Sequence, residues 1–330
     1  MSGLVSIYGG SGFVGRYIAQ RAAKAGWRVR VAVRRPEEAL FVRTYGVVGQ
    51  VEPVACNIRD EASVKAASAG ADVVVNCVGI LAPDGPNTFD AVQAEGAARI
   101  ARVAAENGVA RMVQISAIGA DPSSKSAYAR TKAAGEGAVL EHMPQAVILR
   151  PSIIFGPEDQ FFNRFGAMAR SFPIVPIVGA KTRFQPVYVD DVAAAAQMAI
   201  EGKAAPGIYE LGGPDIDTFR ELMQQMLQVI QRRRLIVNQP FWMARLMGWG
   251  FDLMTKLSFG VLKGPLTLDQ VRNLARDNVV SPGVEGFSDL GITPVSMEAI
   301  LPDYLWRFRP SGQYAESKAS AQNLHSNRTN

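Results

Sequence analysis

Apolar runs and amphipathic segments alternate along the first half of this chain. Leu4–Ile7 is a short apolar run, and Phe13–Ala25 repeats its apolar positions at three- and four-residue steps. Arg28–Val33, Val51–Ala55, the Val-rich Val73–Cys77, Met112–Ser116 and Val147–Arg150 read as further strands. Phe89–Asn107 and Ala127–Glu141 read as helices between them. Strands alternating with helices predict a parallel sheet covered on both faces. The run Val73-Val74-Val75 suits a strand buried on both sides. Six or seven parallel strands are expected before about residue 190. The fold class is α/β, a doubly wound parallel sheet, with residues 1–150 as its core.

From Pro151 the texture changes. Prolines recur at 151, 157, 173, 176 and 186, and the elements shorten. Residues 151–310 read as a smaller lobe with some elements returning to the core sheet. Asp190 or Asp191 is expected to cap a helix over Val192–Ile200, followed by a strand at Gly207–Leu211 and a helix at Phe219–Gln231. Residues 311–330 are polar and expected to be disordered. Within the lobe, Trp242, Leu246, Trp249, Leu253 and Leu257 form a helical stripe in the segment 240–262. Arg245, Asp252 and Lys256 share that segment, which argues against a span. Two readings stand: a core helix covering the lobe, or an interfacial helix touching a partner or membrane surface.

Charge and composition narrow the classes. The net charge of +5 lacks a long Lys/Arg block, so nucleic acid is not expected as a partner. Arg232-Arg233-Arg234 is read as a solvated helix end. Two histidines, His142 and His325, argue against a histidine metal site or a Ser-His-Asp triad. Cys56 and Cys77 lack metal-ligand spacing and read as small buried hydrophobes, which fits a reducing compartment. With a strand expected to begin near Leu4, no leader peptide is expected. No apolar run reaches the ~18 residues of a spanning helix.

The strongest chemical signal is the turn Tyr8-Gly9-Gly10-Ser11-Gly12-Phe13-Val14-Gly15-Arg16, placed between a strand and a helix. In that context glycines permit a tight turn, a close approach of the backbone to a pyrophosphate, and helix–strand packing. The free N–H groups of Phe13 and Val14 at the helix start then face the anion. Gly9/Gly12/Gly15 and Gly10/Gly12/Gly15 both match known spacings. A Rossmann-type dinucleotide site follows. After the second strand stand Arg34 and Arg35 instead of a carboxylate, so a 2′-phosphate and hence NADPH is expected. Asn57 and Ile58 follow the third strand, where a side chain meets adenine, and Asp60 reads equally as a helix cap. Cys77, Val78, Gly79 and Ile80 follow the fourth strand, where small residues let a cofactor lie against the strand ends.

Tyr128 and Lys132, four apart on a helix, share a face. The ammonium favours the phenolate, so the tyrosine is positioned to exchange a proton with a carbonyl or alcohol. Ser116, at the end of the fifth strand, is placed to hydrogen-bond a substrate oxygen. The same pair also suits plain binding of a nicotinamide ribose, so holding and turnover both remain open.

Together these residues resemble the short-chain dehydrogenase/reductase superfamily, in its extended or atypical branch, over about residues 3–300. A narrower resemblance, to the NADPH-binding accessory subunits of respiratory complex I, rests on four stretches. They are Tyr128 to Glu136, Ala146 to Phe165 (with Arg150-Pro151-Ser152 and Glu158-Asp159-Gln160-Phe161-Phe162-Asn163), Arg183 to Asp191, and Leu266 to Val271. The resemblance implies tightly held NADPH, no electron transfer, other complex I subunits as partners, and a place on the hydrophilic arm near the membrane and quinone site. It implies the cytoplasmic side of a bacterial inner membrane, or the matrix side in a mitochondrion. It places Gly9, Gly12 and Gly15 at the pyrophosphate, Arg34 at the 2′-phosphate, Tyr128 and Lys132 at the ribose, and Pro151 in the cofactor wall. The rivals are an NADPH-dependent reductase or epimerase using Tyr128, Lys132 and Ser116, and an NADP(H)-sensing binding protein.

Overall fold

The computed structural model describes residues 3–257, 264 and 267–314. The first half runs β1 (Leu4–Tyr8), α1 (Phe13–Lys24), β2 (Arg28–Val33), β3 (Val51–Ala55), α2 (Glu61–Ser68), β4 (Val73–Asn76), α3 (Glu95–Glu106), β5 (Arg111–Ile115), α4 (Ala127–His142) and β6 (Val147–Pro151). Then come β7 (Ile154–Phe155), α5 (Phe162–Ser171), β8 (Ile174–Val178), β9 (Arg183–Phe184), β10 (Val187–Tyr188), α6 (Val189–Ile200) and β11 (Gly207–Leu211). The chain continues through β12 (Asp217–Thr218), α7 (Phe219–Val229), β13 (Leu235–Gln239), α8 (Phe241–Leu257), α9 (Leu268–Asn273) and α10 (Met297–Leu305).

Seven strands form one sheet in the order β3-β2-β1-β4-β5-β6-β11. All six pairings are parallel. The period-2 alternation of strand side chains divides two cores. Val5 and Ile7 of β1 join Ile18 and Ala19 of α1 and Val192, Ala195 and Ala196 of α6 on one face. Tyr8 joins Val64 of α2, Ile100 of α3 and Val139 of α4 on the other. Alanines on α1 and α6 let the two helices pack closely. β6 and β11 are adjacent, so the lobe is inserted between them and after β11.

The lobe has its own core, in which Phe155, Phe162, Phe184, Phe219, Met226, Leu301 and Phe308 are buried together. The Glu158 to Phe165 stretch leads into it. Asp159, 3 % exposed, accepts hydrogen bonds from the backbone of Gly156, Phe161 and Asn163 and from the Tyr304 hydroxyl at 2.6 Å. One carboxylate thus caps α5 and ties it to α10.

Several expected elements shift. The helix foreseen over Phe89–Asn107 opens with a π turn, Asp90–Ala94, before α3. α6 begins at Val189 without a side-chain cap: Asp190 is drawn away to Arg21 (2.7 and 2.8 Å) and Asp191 accepts from the Val295 N–H. Arg232 and Arg234 are half-buried and donate to the Phe308 and Ala169 carbonyls, so this run is built into the lobe and is not simply solvated. Gly312–Tyr314 form a 3-10 turn at the start of the expected polar tail, and residues 315–330 lie outside the described residues.

The stripe on α8 faces outward. Trp242, Leu246, Trp249 and Leu253 are exposed, whereas Ala244 packs with Val178 and Val271. The core-helix reading of the stripe is therefore overturned: the small residues face inward, and the large ones are left to solvent. The Leu257 side chain and residues 258–262 lie outside the described residues. No helix among the described residues is long and apolar enough to cross a membrane.

Candidate functional site: a cofactor cleft

The strand order reverses about β1, with β2 on one side and β4 on the other. In a doubly wound sheet the ligand crevice lies there, beyond the carboxyl ends of the strands. Gly9 follows β1 at φ +74°, a left-handed conformation that favours glycine. The Gly12 N–H closes the turn onto the Gly9 carbonyl at 2.9 Å. A Cβ on Gly15 would lie 2.3 Å from that same carbonyl oxygen and 2.7 Å from the Gly10 Cα. Gly9 and Gly15 are thus required by geometry. Gly10 has no left-handed φ, but a Cβ there would lie 3.0 Å from a Val31 methyl and 3.1 Å from the Ile7 carbonyl oxygen.

α1 starts at Gly12 with no side-chain cap and no acidic residue in its first turn. Its first N–H groups and positive dipole end therefore remain for an anion. A cleft of about 280 Å³ opens there, lined by Gly9, Gly12, Phe13, Val14 and Gly15, by Cys77 and Gly79 from the end of β4, and by Tyr128. Ile80 and Leu81 complete the lining. Sequence reasoning missed Leu81, although it directly follows Ile80. Val78 sits beneath the turn, its methyl 3.2 Å from where a Gly9 Cβ would be.

The remaining expected residues stand apart from the cleft lining. Arg34 and Arg35 are exposed after β2. Arg35 is paired with Glu38 at 2.8 Å, while Arg34 has no ion pair among the described residues. Arg16, given no role in the sequence reading, donates to the Ser11 carbonyl at 3.1 Å and stacks over Phe41 at 5.0 Å. Its place directly after Gly15 was the available signal. The Asn57 side chain accepts the Arg59 N–H, and Ile58 packs under Gly96. Asp60 caps α2, accepting from the Ala62 N–H at 3.2 Å. Pro151 is buried at the end of β6, its carbonyl accepting the Ile118 N–H.

Helix α4 brings Tyr128 to the cleft wall and Lys132 one turn behind it. The Lys132 ammonium donates to the Ile115 carbonyl at 3.2 Å and lies 3.4 Å from where a Gly79 Cβ would be. Burial pushes the Lys132 ammonium down to about 8, with the Glu136 carboxylate and Cys77 opposing. Burial pushes the Cys77 thiol up to about 12. It likewise raises the Tyr128 phenol to about 12, and nothing offsets it. The Tyr-x-x-x-Lys spacing predicts a lowered phenol. Here burial outweighs that effect, and the ammonium donates to the Ile115 carbonyl.

Ser116 does not face the cleft. It is 4 % exposed, and its hydroxyl donates to Glu136. Glu136 in turn takes two hydrogen bonds from Arg150, at 2.9 and 2.5 Å, and Arg150 approaches Glu210 at 3.6 Å. Glu136 and Glu210 are each 4 % exposed. The expected substrate-binding hydroxyl is thus committed to a buried ion-pair network behind α4, two turns from Tyr128. No cluster of potential metal ligands occurs among the described residues.

Residues 5–212 match the NAD dependent epimerase/dehydratase family. Across its length the chain is 37 % identical to "NADH dehydrogenase [ubiquinone] 1 alpha subcomplex subunit 9, mitochondrial" of Arabidopsis thaliana, covering 94 % of this chain and 80 % of that protein. The chain belongs to the NAD dependent epimerase/dehydratase family, in its complex I subunit 9 branch. Another relative, "Ceramide reductase" of Caulobacter vibrioides, is 33 % identical over 72 % of this chain and 74 % of that protein. The UDP-glucose 4-epimerase of Thermotoga maritima superposes with a TM-score of 0.69 at 17 % identity, over 92 % of this chain and 98 % of that one. At that identity it shows the fold alone.

Proposed function

We propose that this chain is an accessory subunit of NADH:ubiquinone oxidoreductase (complex I) that holds NADPH as a structural element and stabilises assembly. The observation that carries this reading is the 37 % identity to the plant subunit over 94 % of the chain, lobe included. Site chemistry supports it. The glycine turn and the uncapped α1 suit a pyrophosphate, and Lys132 lies behind the cleft wall, beside Gly79. The third group of the expected catalytic set is spent on the Glu136 network. Arg34, free of an ion pair, is assigned to the 2′-phosphate, and Arg35 stays with Glu38. NADPH, when bound, offers a hydride; this chain's own residues orient and retain the dinucleotide.

The subunit is assigned a peripheral place beside the membrane. The outward Trp242, Leu246, Trp249 and Leu253, with exposed Arg245 among them, are its contact with neighbouring subunits or the membrane surface. On this reading a tagged protein, extracted with membranes in mild detergent, brings down the oxidoreductase subunits together with NADPH that does not exchange. Purification alone and in soluble form would refute it. Replacing Arg34 by Ala should weaken NADPH binding at least tenfold and leave NADH binding unchanged, since a charge-assisted contact to phosphate is lost. Equal losses for both would remove Arg34 from the 2′-phosphate.

A second reading, an NADPH-dependent reductase, is favoured by the ceramide reductase relative and by Tyr128 in the cleft wall. There Tyr128 would donate the proton and Lys132 would orient it. Turnover abolished by Tyr128→Phe, with no effect of that variant on assembly, would establish this reading over the first.

A further inference from the structure

Of the Leu266 to Val271 motif, Leu266 lies outside the described residues, and Thr267 to Val271 do not line the cofactor cleft, yet the structure gives them a specific task. We infer that Asp269 is a latch joining the cofactor cleft to the aromatic helix α8. This rests on the cofactor reading of the cleft. The Asp269 carboxylate takes the Ala127 N–H at 2.7 Å, the Tyr128 N–H at 3.2 Å and the Ser126 hydroxyl at 2.8 Å. Ser126 is itself the cap of α4, accepting from the Ala129 N–H. The first turn of the helix carrying Tyr128 is therefore terminated by a residue 141 positions away. A carboxylate at a helix N-terminus is favoured by both the unpaired N–H groups and the dipole.

α9 is tied on its other sides as well. The Gln270 side chain reaches the carbonyl of Leu81, a cleft-lining residue, at 3.4 Å. A Thr267–Gln270 capping box fixes the start of α9. The Leu268 N–H donates to Asp252 of α8 at 3.1 Å. Gly248 of α8 packs so closely that an added Cβ would lie 3.0 Å from the Leu268 nitrogen. Two consecutive backbone donors on one carboxylate leave little slack. A shift of Tyr128 on closing around a cofactor must move α9, and α9 carries α8 with it. The face offered by Trp242, Leu246 and Trp249 thereby reports cofactor occupancy, and its engagement reciprocally tightens the cofactor.

The test uses the full chain, with NADPH affinity measured by nicotinamide fluorescence and backbone hydrogen exchange followed over residues 241–257. Expected are slower exchange of α8 on adding NADPH, loss of that response in Asp269→Asn, and NADPH binding weakened in that variant by roughly 5- to 150-fold. Asp252→Ala, at a residue outside the cleft lining, should weaken NADPH binding in the same direction and keeps the test alive if Asp269→Asn fails to fold. A cap that is merely structural would lower the unfolding midpoint and leave the cofactor response of α8 intact. Unchanged α8 exchange in the wild type, or wild-type NADPH affinity in both variants, overturns the latch. A wild-type chain that binds no dinucleotide overturns the cofactor reading itself, and the latch with it.

Discussion

Two glycines in one turn separate stability from binding. Gly15→Ala places a Cβ 2.3 Å from the Gly9 carbonyl oxygen and 2.7 Å from the Gly10 Cα, both backbone atoms. No side chain is available to swing aside, so the turn or α1 must move. Overpacking of this kind costs about 1–3 kcal/mol, and a backbone clash on both sides puts Gly15→Ala at about 3 kcal/mol. Gly12 differs. Its φ of −70° and ψ of 177° are open to any residue, and its Cβ would meet only the Gly9 oxygen, at 3.1 Å. Losing glycine at a helix cap costs less than about 1 kcal/mol, offset in part by about 0.4–1 kcal/mol from a stiffer unfolded chain. Yet Gly12 lines the cleft, so its methyl stands where the pyrophosphate would approach. Urea unfolding of both variants without cofactor, paired with NADPH titration, decides the matter. Gly15→Ala should lose stability. Gly12→Ala should keep it and lose affinity by at least tenfold. A Gly12→Ala variant less stable than Gly15→Ala, or one binding NADPH at wild-type strength, would refute this assignment of roles.

Three more outcomes follow from the buried groups. Arg150→Ala strands the Glu136 and Glu210 carboxylates without their shared cation, and removing one partner of a buried pair costs about 3–5 kcal/mol, measurable by urea unfolding. Ser116→Ala should cost about 1–3 kcal/mol by depriving Glu136 of a donor while leaving NADPH affinity unchanged; a loss of affinity would return the hydroxyl to the cleft. Lys132 gives a pH signature. Its folded value of about 8 lies below the ordinary 10.5, so the unfolded chain holds the proton longer and stability rises with pH above 8. Cys77, raised to about 12 from 9, opposes this above pH 9. The clean window is pH 8 to 9, where stability should rise by at most about 1.4 kcal/mol, and where Lys132→Met should show no rise.

The sheet was legible because its signals are local. Arg28–Val33, Val51–Ala55 and Gly207–Leu211 occur where the apolar runs predict them. The glycine turn was legible because backbone geometry demands particular residues at fixed spacing. What escaped depends on contacts distant in sequence. The side to which Ser116 turns is decided by Glu136 and Arg150, which only the packing of α4 over the sheet brings together. β8 pairs in parallel with β13, some 60 residues on, and no periodicity announces that partner. The stripe on α8 was visible, but its direction was fixed by Ala244 and Gly248, small residues that seat the helix on Val178 and α9. Asp269 looked like part of a family motif, and its work at Tyr128 appears only in three dimensions.

The same contacts bear on why such a chain would hold a dinucleotide without using it. A phenol at about 12 lies some five pH units above neutrality, and each unit corresponds to about 1.4 kcal/mol. Burial accounts for about 2.7 kcal/mol of the cost of giving up the Tyr128 proton, the ordinary phenol value being 10. Lys132 is turned to the Ile115 carbonyl, and Ser116 serves Glu136. On the proposed reading the cleft grips a cofactor while Ser116 and Lys132 make their contacts away from it. Gripping alone has a physical return. A ligand at a hundred times its dissociation constant stabilises the folded chain by about 2.7 kcal/mol. That is comparable to what the tight turn at Gly15 stands to lose to a single methyl group. A subunit whose fold is completed by a bound dinucleotide needs the cleft, the turn and the latch; it does not need a reactive tyrosine.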